Sequence, residues 1–337
     1  MKKLLKVAAA SLSLLLAFTA CAGPAQNAES GTEQTEAQGS AEGEQKYAFV
    51  LKVLSSPFWQ KMEQGIQDKA KELGVSVEVL AANAEDDIEG QVNILQNVVS
   101  KKYTAIGLAP LTADNTVKIV ADANQQGILV VDVDERLNFD ALKSAGGSVI
   151  SYVATDNVVV GKTAGEYIAK TIQSGDVAII EGKAGTPSGD DRKAGAMEAF
   201  EAAGLNVVDS QPADWDRTKA FDLATNLIQK NANLKAIYCA NDTMAMGAQE
   251  AVENSGKDIL VVGTDGNEDA VQSVADGKLG ATVAQDPAQV GARSLELLVE
   301  AVKAGEKPGD KEMITEMVEP ILVEPLNVQD YLKSQSK

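Results

Sequence analysis

YAFVLKVLSSPFWQKMEQGIQDKAKELG, residues 47–74, contains the structural unit that decides the fold. An apolar segment, residues 47–53, leads through a short polar turn into an amphipathic stretch. Pro57 suits the first turn of a helix, where its missing N–H costs nothing. Apolar residues then recur at helical spacing between Met62 and Leu73, and Gly74 is the expected left-handed cap. The segment therefore predicts a strand followed by a helix.

The same unit recurs along the rest of the chain. The predicted strands are residues 47–53, 76–80, 105–109, 128–133, 150–154, 177–181, 206–209, 236–239, 259–263 and 281–285. Strands that are apolar throughout and are separated by helices are typical of parallel sheets covered on both faces. The sequence thus predicts an α/β fold, and the roughly 290 residues after the first 45 are enough for two lobes with separate cores.

Residues 1–20 are predicted to be a lipoprotein signal peptide and not part of the fold. A basic start with three lysines precedes an apolar stretch, residues 7–18, that is too short to span a membrane. The stretch leads to Cys21 in a setting that resembles the lipobox of bacterial lipoproteins, although Phe18 stands where an aliphatic residue is usual. The alternative is ordinary cleavage after Ala22.

A lipid on Cys21 would anchor the protein at the outer face of the cytoplasmic membrane, whereas plain cleavage would leave it soluble in the periplasm. Residues 21–45 are small or polar, several are acidic, and none is large and apolar. Such a segment cannot bury enough surface to offset the entropy of ordering it. We therefore expect a disordered acidic tether between the anchor and the folded part.

The charge and the residue content exclude several classes of function. The chain carries 30 basic and 49 acidic residues, and its net charge of −19 becomes −22 without the three lysines of the signal peptide. This charge disfavours nucleic acids as partners. The absence of histidine disfavours metal sites and most catalytic relays, and neither common phosphate-binding glycine motif occurs. Cys239, inside an apolar run, is predicted to be a buried strand thiol.

The residues that follow the predicted strands form the candidate site, because ligands of open α/β sheets bind beyond the carboxyl ends of the strands. These residues are Lys52, Ser56, Phe58, Trp59, Asp134, Arg192, Trp215, Asn241, Asp265 and Gln285. Both tryptophans of the chain are among them. Flat rings can hold the C–H faces of a sugar, while carboxylates, amides and cations bond its hydroxyls. The set predicts a site for a neutral sugar.

Each of these residues also has an ordinary structural explanation. Asn241 could cap the helix that follows it, and Asp265 could belong to a turn. The remaining alternatives are core packing for Trp59 or Trp215, an ion pair of Arg192 with Asp190 or Asp191, a surface acid at Asp134 beside Asp132 and Glu135, and a strand end at Gln285.

Three longer runs carry a resemblance to a known family: EGKAGTPSGDDRKAGAMEAF (181–200), SQPADWDRTKAFDLATNLIQ (210–229) and KAIYCANDTMAMGAQEAV (235–252). They are similar to the type I periplasmic sugar-binding proteins of ABC importers, and the resemblance extends over residues 47–329. It implies two Rossmann-like lobes, each a parallel sheet flanked by helices, joined by a three-segment hinge. The implied lobes are residues 46–151 with 287–318, and 152–286 with 319–337.

The resemblance also implies roles for the candidate residues. Within the family the sequence is most similar to members that bind D-allose, and next to those that bind ribose. Lys52 and Trp59 resemble the residues of the allose binders, whereas the ribose binders have Ser and Phe at these positions. The longer side chain and the larger ring favour a pyranose. Ser56 departs from both groups, which have Asn there. The implied polar and stacking contacts come from Lys52, Phe58, Trp59, Asp134, Arg192, Trp215, Asn241, Asp265 and Gln285.

The function implied by the resemblance is a lipid-tethered receptor that binds a sugar and delivers it to an ABC permease. It would be a monomer without cofactor, metal or catalytic residues, and a chemotaxis receptor is a further candidate partner. A receptor of the same fold for ribose, galactose, inositol or a furanone signal is the main alternative. A sugar-responsive repressor would need a helix-turn-helix segment in place of the tether. A glycosidase would need paired carboxylates, such as Asp134 with Asp265.

Overall fold

The computed structural model describes residues 45–335 of the 337-residue chain. The predicted signal peptide, Cys21 and nearly all of the predicted tether lie outside the described residues. The strands in residues 45–335 are β1 (Lys46–Val53), β2 (Ser76–Ala82), β3 (Ala105–Leu108), β4 (Leu129–Val133), β5 (Ser151–Thr155), β6 (Asp176–Glu181), β7 (Asn206–Pro212), β8 (Leu234–Cys239), β9 (Leu260–Asp265), β10 (Ala281–Ala284), β11 (Ile314–Val318) and β12 (Ile321–Val323).

The helices alternate with these strands along most of the chain. They are α1 (Pro57–Leu73), α2 (Ile88–Ser100), α3 (Val117–Gln125), α4 (Phe139–Ser144), α5 (Asn157–Ile172), α6 (Pro187–Ala202), α7 (Arg217–Lys230), α8 (Asp242–Ser255), α9 (Glu268–Ala275), α10 (Pro287–Lys303) and α11 (Val328–Gln335). The first of them begins at Pro57 and ends at Gly74, which has a φ of 66°, as the opening segment predicts. None of the helices in residues 45–335 has the length and apolar character that a membrane span requires.

The strands form two six-stranded sheets, which confirms the predicted α/β fold with two lobes. The first sheet has the order β11-β5-β4-β3-β1-β2, and all of its pairs are parallel. The second has the order β12-β10-β9-β8-β6-β7, with β12 antiparallel to β10 and the other pairs parallel. We call these sheets with their flanking helices the first lobe and the second lobe.

The chain passes between the lobes at three points. It leaves the first sheet after β5, returns to the first lobe between β10 and α10, and crosses again between β11 and β12. Because β5 belongs to the first sheet, the first crossing follows Thr155 and not residue 151, where the sequence places it.

Each sheet has apolar residues on both faces. In β1, Phe49 and Leu51 pack into one cluster while Ala48 and Val50 pack into another on the opposite face. The strands of the second lobe alternate in the same way. Cys239 is fully buried in β8, which confirms the prediction of a buried strand thiol.

All ten predicted strands are present, but β11 and β12 were not predicted. Both are short edge strands, and β11 is largely exposed. β11 pairs with β5, from which it is separated by more than 150 residues, so no local pattern identifies it.

Candidate functional site

A cavity of about 570 Å³ lies between the two lobes, at the carboxyl ends of strands from both sheets. Its size is typical of small-molecule sites, which measure roughly 300–1,000 Å³. Nine of the ten residues predicted to bind ligand line it: Lys52, Ser56, Phe58, Trp59, Asp134, Arg192, Trp215, Asn241 and Asp265. Gln285 does not line the cavity. It lies behind Asp265 and donates a 2.7 Å hydrogen bond to its carboxylate.

The first lobe contributes two aromatic rings in the first turn of α1. Phe58 and Trp59 pack edge to face, with ring centroids 5.0 Å apart. Both rings are about 95% buried and belong to the core of the first lobe, and both also line the cavity. The core explanation and the ligand explanation of Trp59 are therefore compatible, since one edge of the core forms a wall of the cavity.

The second lobe contributes Trp215, which is half-buried on the opposite wall. The guanidinium carbon of Arg192 lies 5.7 Å from the centroid of its ring, within the distance of a cation–π interaction. Trp215 packs against the core of its own lobe at one side and faces the cavity at the other.

Backbone strain is concentrated around the cavity. Within residues 45–335, six residues other than glycine have positive φ, and four of them line the cavity: Asp134, Asp214, Trp215 and Asp265. Such conformations cost of the order of 1–3 kcal/mol each and persist where the surrounding structure enforces them. The strain indicates that these side chains are held in fixed directions toward the cavity.

Arg192 is held by three partners in the second lobe. Its Nε donates to the Asn157 side chain at 2.8 Å, and Nη1 donates to the Ala240 carbonyl at 2.7 Å and lies 3.6 Å from the Asp265 carboxylate. Pairing of Arg192 with Asp190 or Asp191, the alternative named from the sequence, is wrong because its guanidinium is bonded to these other groups and Asp191 pairs with Arg136.

The three acids at the end of β4 and directly after it are all buried, so the explanation of Asp134 as a surface acid is wrong. Asp134 is 4% exposed, and Asp132 and Glu135 are fully buried. Burial raises the pKa of Asp134 to about 7 and outweighs the opposing effect of Lys52. Burial likewise raises the pKa of Asp265 to about 6, against the effects of Arg192 and of the hydrogen bond from Gln285. Asp134 Oδ1 is buried without a hydrogen-bond partner among residues 45–335.

Lys52 forms a buried ion pair with Glu135, at 2.6 Å between Nζ and Oε2. Burial alone would lower the pKa of Lys52, but the carboxylates of Glu135, Glu85 and Asp134 together offset this, and the pKa is raised. The Nζ atom also lies 5.8 Å from the centroid of the Trp59 ring. Lys52 is therefore protonated, and its positive charge is balanced by the carboxylate of Glu135.

Asn241 and Ser56 both begin helices at the edge of the cavity. The Asn241 side chain accepts a hydrogen bond from the Met244 N–H at 2.8 Å. It therefore caps α8, which was the alternative role considered for it from the sequence. It lines the cavity as well, because the carboxyl end of β8 faces the cleft. Ser56 is the first residue before α1, but its hydroxyl does not cap that helix.

The sequence did not identify several other residues of the cavity. Glu85 follows β2, so the rule applied to the other strands could have found it. Burial raises its pKa. Lys183 donates to the backbone carbonyl of Glu85 across the cleft. The cavity is also lined by Asn83, Asp86, Ser188, Asp214, Asp216, Arg217, Lys219 and Thr243.

The charges of the inner cavity are balanced, which determines what it can bind. Lys52 is paired with Glu135, and Arg192 lies beside Asp265. An anion such as a phosphate would have to compete with these carboxylates for both cations. Polar groups between two indole rings suit a neutral molecule with several hydroxyls. No group of acidic or cysteine side chains in residues 45–335 is arranged to hold a metal ion.

Comparison with known proteins places this arrangement among binding proteins. Residues 47–307 match the family model described as periplasmic binding protein domain. The sequence is 50% identical to the D-allose-binding periplasmic protein of Escherichia coli over 82% of this chain and 91% of that protein. It is 36% identical to the E. coli ribose import binding protein over 77% and 85% of the two chains. A solved solute-binding protein from Actinobacillus succinogenes with bound D-allose has a TM-score of 0.80 and 33% identity, over 85% of this chain and all of that one.

Proposed function

This chain belongs to the periplasmic binding protein family and is an exported sugar-binding component of an ABC transporter, and on that premise we propose that its ligand is D-allose or a similar aldohexose pyranose. Its relatives are binding proteins, which confirms that it is not an enzyme and removes the glycosidase alternative. A ribose, galactose, inositol or furanone receptor of the same fold is the second candidate, favoured by the relatedness to ribose-binding proteins.

The observation that carries the proposal is that Trp59 and Trp215 line one cavity from different lobes, beside two cations that are already paired with acids. The rings would pack on the two C–H faces of a pyranose. Asp134 and Asp265 would accept hydrogen bonds from its hydroxyls, and Arg192 and Asn241 would donate. A binding site that bonds each hydroxyl rejects epimers, because a missing bond leaves a buried polar group unpaired.

The proposed mechanism is closure of the lobes around the sugar. The three crossings after β5, before α10 and after β11 would act as the hinge, and the two lobes would move as units bounded there. The sugar can favour the closed form only through contacts to both lobes. Trp59 on one side and Trp215 on the other provide such contacts. Micromolar affinity requires about −8 kcal/mol, which two packed rings and several hydrogen bonds can supply.

We also propose that Cys21 carries the lipid that holds the protein at the membrane, with the following acidic residues as the tether. The support is the sequence alone, since this segment lies outside the described residues. Delivery to the permease would then take place at the membrane surface. A chemotaxis receptor as a second partner and a monomeric state remain predictions.

A thermal-shift screen tests the ligand class. Wild-type protein is heated with D-allose, D-ribose, D-galactose and myo-inositol, each at the same excess. A ligand that binds only the folded protein stabilises it by RT ln(1 + [L]/Kd), so at equal concentrations the ligand that binds most tightly raises the melting temperature most. We expect the largest rise with D-allose. A larger rise with ribose or inositol would transfer the assignment to the second candidate, and no rise with any of the four would contradict a sugar ligand.

A further inference from the structure

Glu135 joins the two lobes at the wall of the cavity, where both of its partners line the cavity and Glu135 itself does not. It lies in the first lobe, directly after Asp134, and is fully buried. Its Oε2 accepts hydrogen bonds from Lys52 Nζ at 2.6 Å and from the Ser188 hydroxyl at 2.7 Å, and its Oε1 accepts from the Ser188 backbone N–H at 2.9 Å. Ser188 belongs to α6 in the second lobe. A single carboxylate is thus shared by a residue of each lobe.

The partner of Glu135 in the second lobe is the N-terminus of a helix that lacks a cap of its own. Six helices in residues 45–335 are capped by the side chain of their own preceding Asp or Asn: α2, α4, α5, α7, α8 and α10. Thr186, at the same position before α6, does not cap it, because its hydroxyl donates to the Lys183 carbonyl. Glu135 therefore supplies the negative charge and the acceptor that the start of α6 otherwise lacks.

The two groups that Glu135 connects both carry candidate ligand contacts. Lys52 lines the cavity from the first lobe, and Arg192 lies on α6 one turn after Ser188. Opening of the cleft would separate Glu135 from Ser188. The carboxylate would remain paired with Lys52, while the N–H groups of the first turn of α6 would form hydrogen bonds with water instead. Closure restores the two charge-assisted hydrogen bonds from Ser188 to Glu135, and neither of them involves the ligand.

We propose that Glu135 is a positioning residue for sugar binding, which caps α6 from the other lobe and thereby holds Lys52 and Arg192 together in the closed form. The proposal rests on the proposed function, since it assigns the closed form to the sugar complex. Glu135 does not line the cavity, so its effect on binding acts through closure. It should therefore slow the release of sugar and leave the rate of entry nearly unchanged.

The test compares three variants by stopped-flow tryptophan fluorescence with D-allose and by small-angle X-ray scattering with and without it. Glu135→Gln removes the charge. Ser188→Ala removes one donor and keeps the ion pair with Lys52, so it remains informative if Glu135→Gln folds poorly. Asp191→Asn is the matched control, because it breaks the Arg136–Asp191 pair at 3.4 Å, which also joins the lobes through α6 but is partly exposed.

We expect Glu135→Gln to raise the dissociation rate of D-allose at least tenfold, Ser188→Ala about threefold and Asp191→Asn less than twofold, with association rates within twofold of wild type. Wild-type dissociation rates in both Glu135→Gln and Ser188→Ala would overturn the proposal. If D-allose binds none of the proteins, the proposed ligand is wrong, and the three variants are compared with the sugar that raises the melting temperature of the wild type most. A larger radius of gyration for sugar-bound Glu135→Gln than for sugar-bound wild type supports the role of Glu135 in closure as well.

Discussion

Gly182 lies directly against the indole ring of Trp215, and a Cβ at this glycine would approach the ring to 2.0 Å. The glycine follows β6, at the carboxyl end of the second sheet, and the missing side chain leaves the space that the ring occupies. The direction in which Trp215 faces the cavity thus depends on a residue that does not itself line the cavity.

Gly182→Ala is expected to weaken sugar binding by displacing the Trp215 ring, because the added methyl group occupies the position of ring atoms. We predict a tenfold or greater loss of D-allose affinity, measured by calorimetry. Ala184→Ser, at an exposed position in the same loop, is the control and should bind like wild type. Unchanged affinity in Gly182→Ala would show that the ring direction is unimportant.

Replacement of the two tryptophans by alanine should separate ligand contact from core packing. Trp215→Ala should lower affinity at least tenfold and leave the melting temperature of the unliganded protein within a few degrees of wild type, since the ring is only half-buried. Trp59→Ala should lower both, because truncating a buried ring costs about 3–5 kcal/mol and hence on the order of 10 °C. Equal melting temperatures for the two variants would contradict this division.

Asp134→Asn should stabilise the unliganded protein at pH 8 while it weakens sugar binding. Burial raises the pKa of Asp134 to about 7, above the roughly 3.9 of an unfolded aspartate. The folded state then holds a proton that the unfolded chain releases, so the free energy of unfolding falls as the pH rises from about 4 to about 7.

The variant loses this penalty, so its melting temperature should exceed that of wild type by a few degrees at pH 8 and match it near pH 4. Thermal melts across this pH range check the prediction, with Asp140→Asn, at an exposed acid of α4, as the control. A variant that is less stable than wild type at pH 8 would show that Asp134 is stabilising as an anion.

Gln285→Leu should change the pH dependence of sugar binding although Gln285 does not line the cavity. Its hydrogen bond to Asp265 opposes the rise in the pKa of that acid, which lies at about 6. Loss of the bond should raise the pKa, so the decline of affinity on acidification should begin at a higher pH. Calorimetric titrations between pH 5 and pH 8 measure this shift, and a profile identical to wild type would assign Gln285 no influence on Asp265.

Cys21→Ala should release the protein from the membrane if Cys21 carries the lipid. The variant should appear in the soluble fraction of fractionated cells, whereas wild type should remain with the membranes after washing and enter the detergent phase. Replacement of Ser30, in the predicted tether, is the control. Membrane association that survives the loss of Cys21 would exclude lipid attachment at this residue.

Much of the fold could be predicted because its units are local. Each strand–helix pair in the first 285 residues has its own apolar pattern and turn residues, so all ten predicted strands are found. β11 and β12 could not be predicted in this way. Their stability depends on pairing with β5 and β10 at the edges of completed sheets, and β11 keeps little apolar pattern of its own.

The cavity was predictable to the extent that it follows from strand ends. The carboxyl ends of the strands bring nine of the predicted side chains together in one cavity, with Gln285 hydrogen-bonded to Asp265 behind them, and Glu85, which also follows a strand, was missed. The role of Glu135 could not be predicted from its position after a strand. Glu135 in the run VDVDE (131–135) has the same local pattern whether it faces solvent or the start of α6, and only the contact between the two lobes distinguishes the two cases.

Isothermal titration of the wild-type protein with D-allose decides whether the two lobes enclose a monosaccharide. We predict one site per chain with micromolar or tighter affinity, and weaker binding of D-ribose. The absence of binding heat with D-allose, D-ribose, D-galactose and myo-inositol alike would contradict the account.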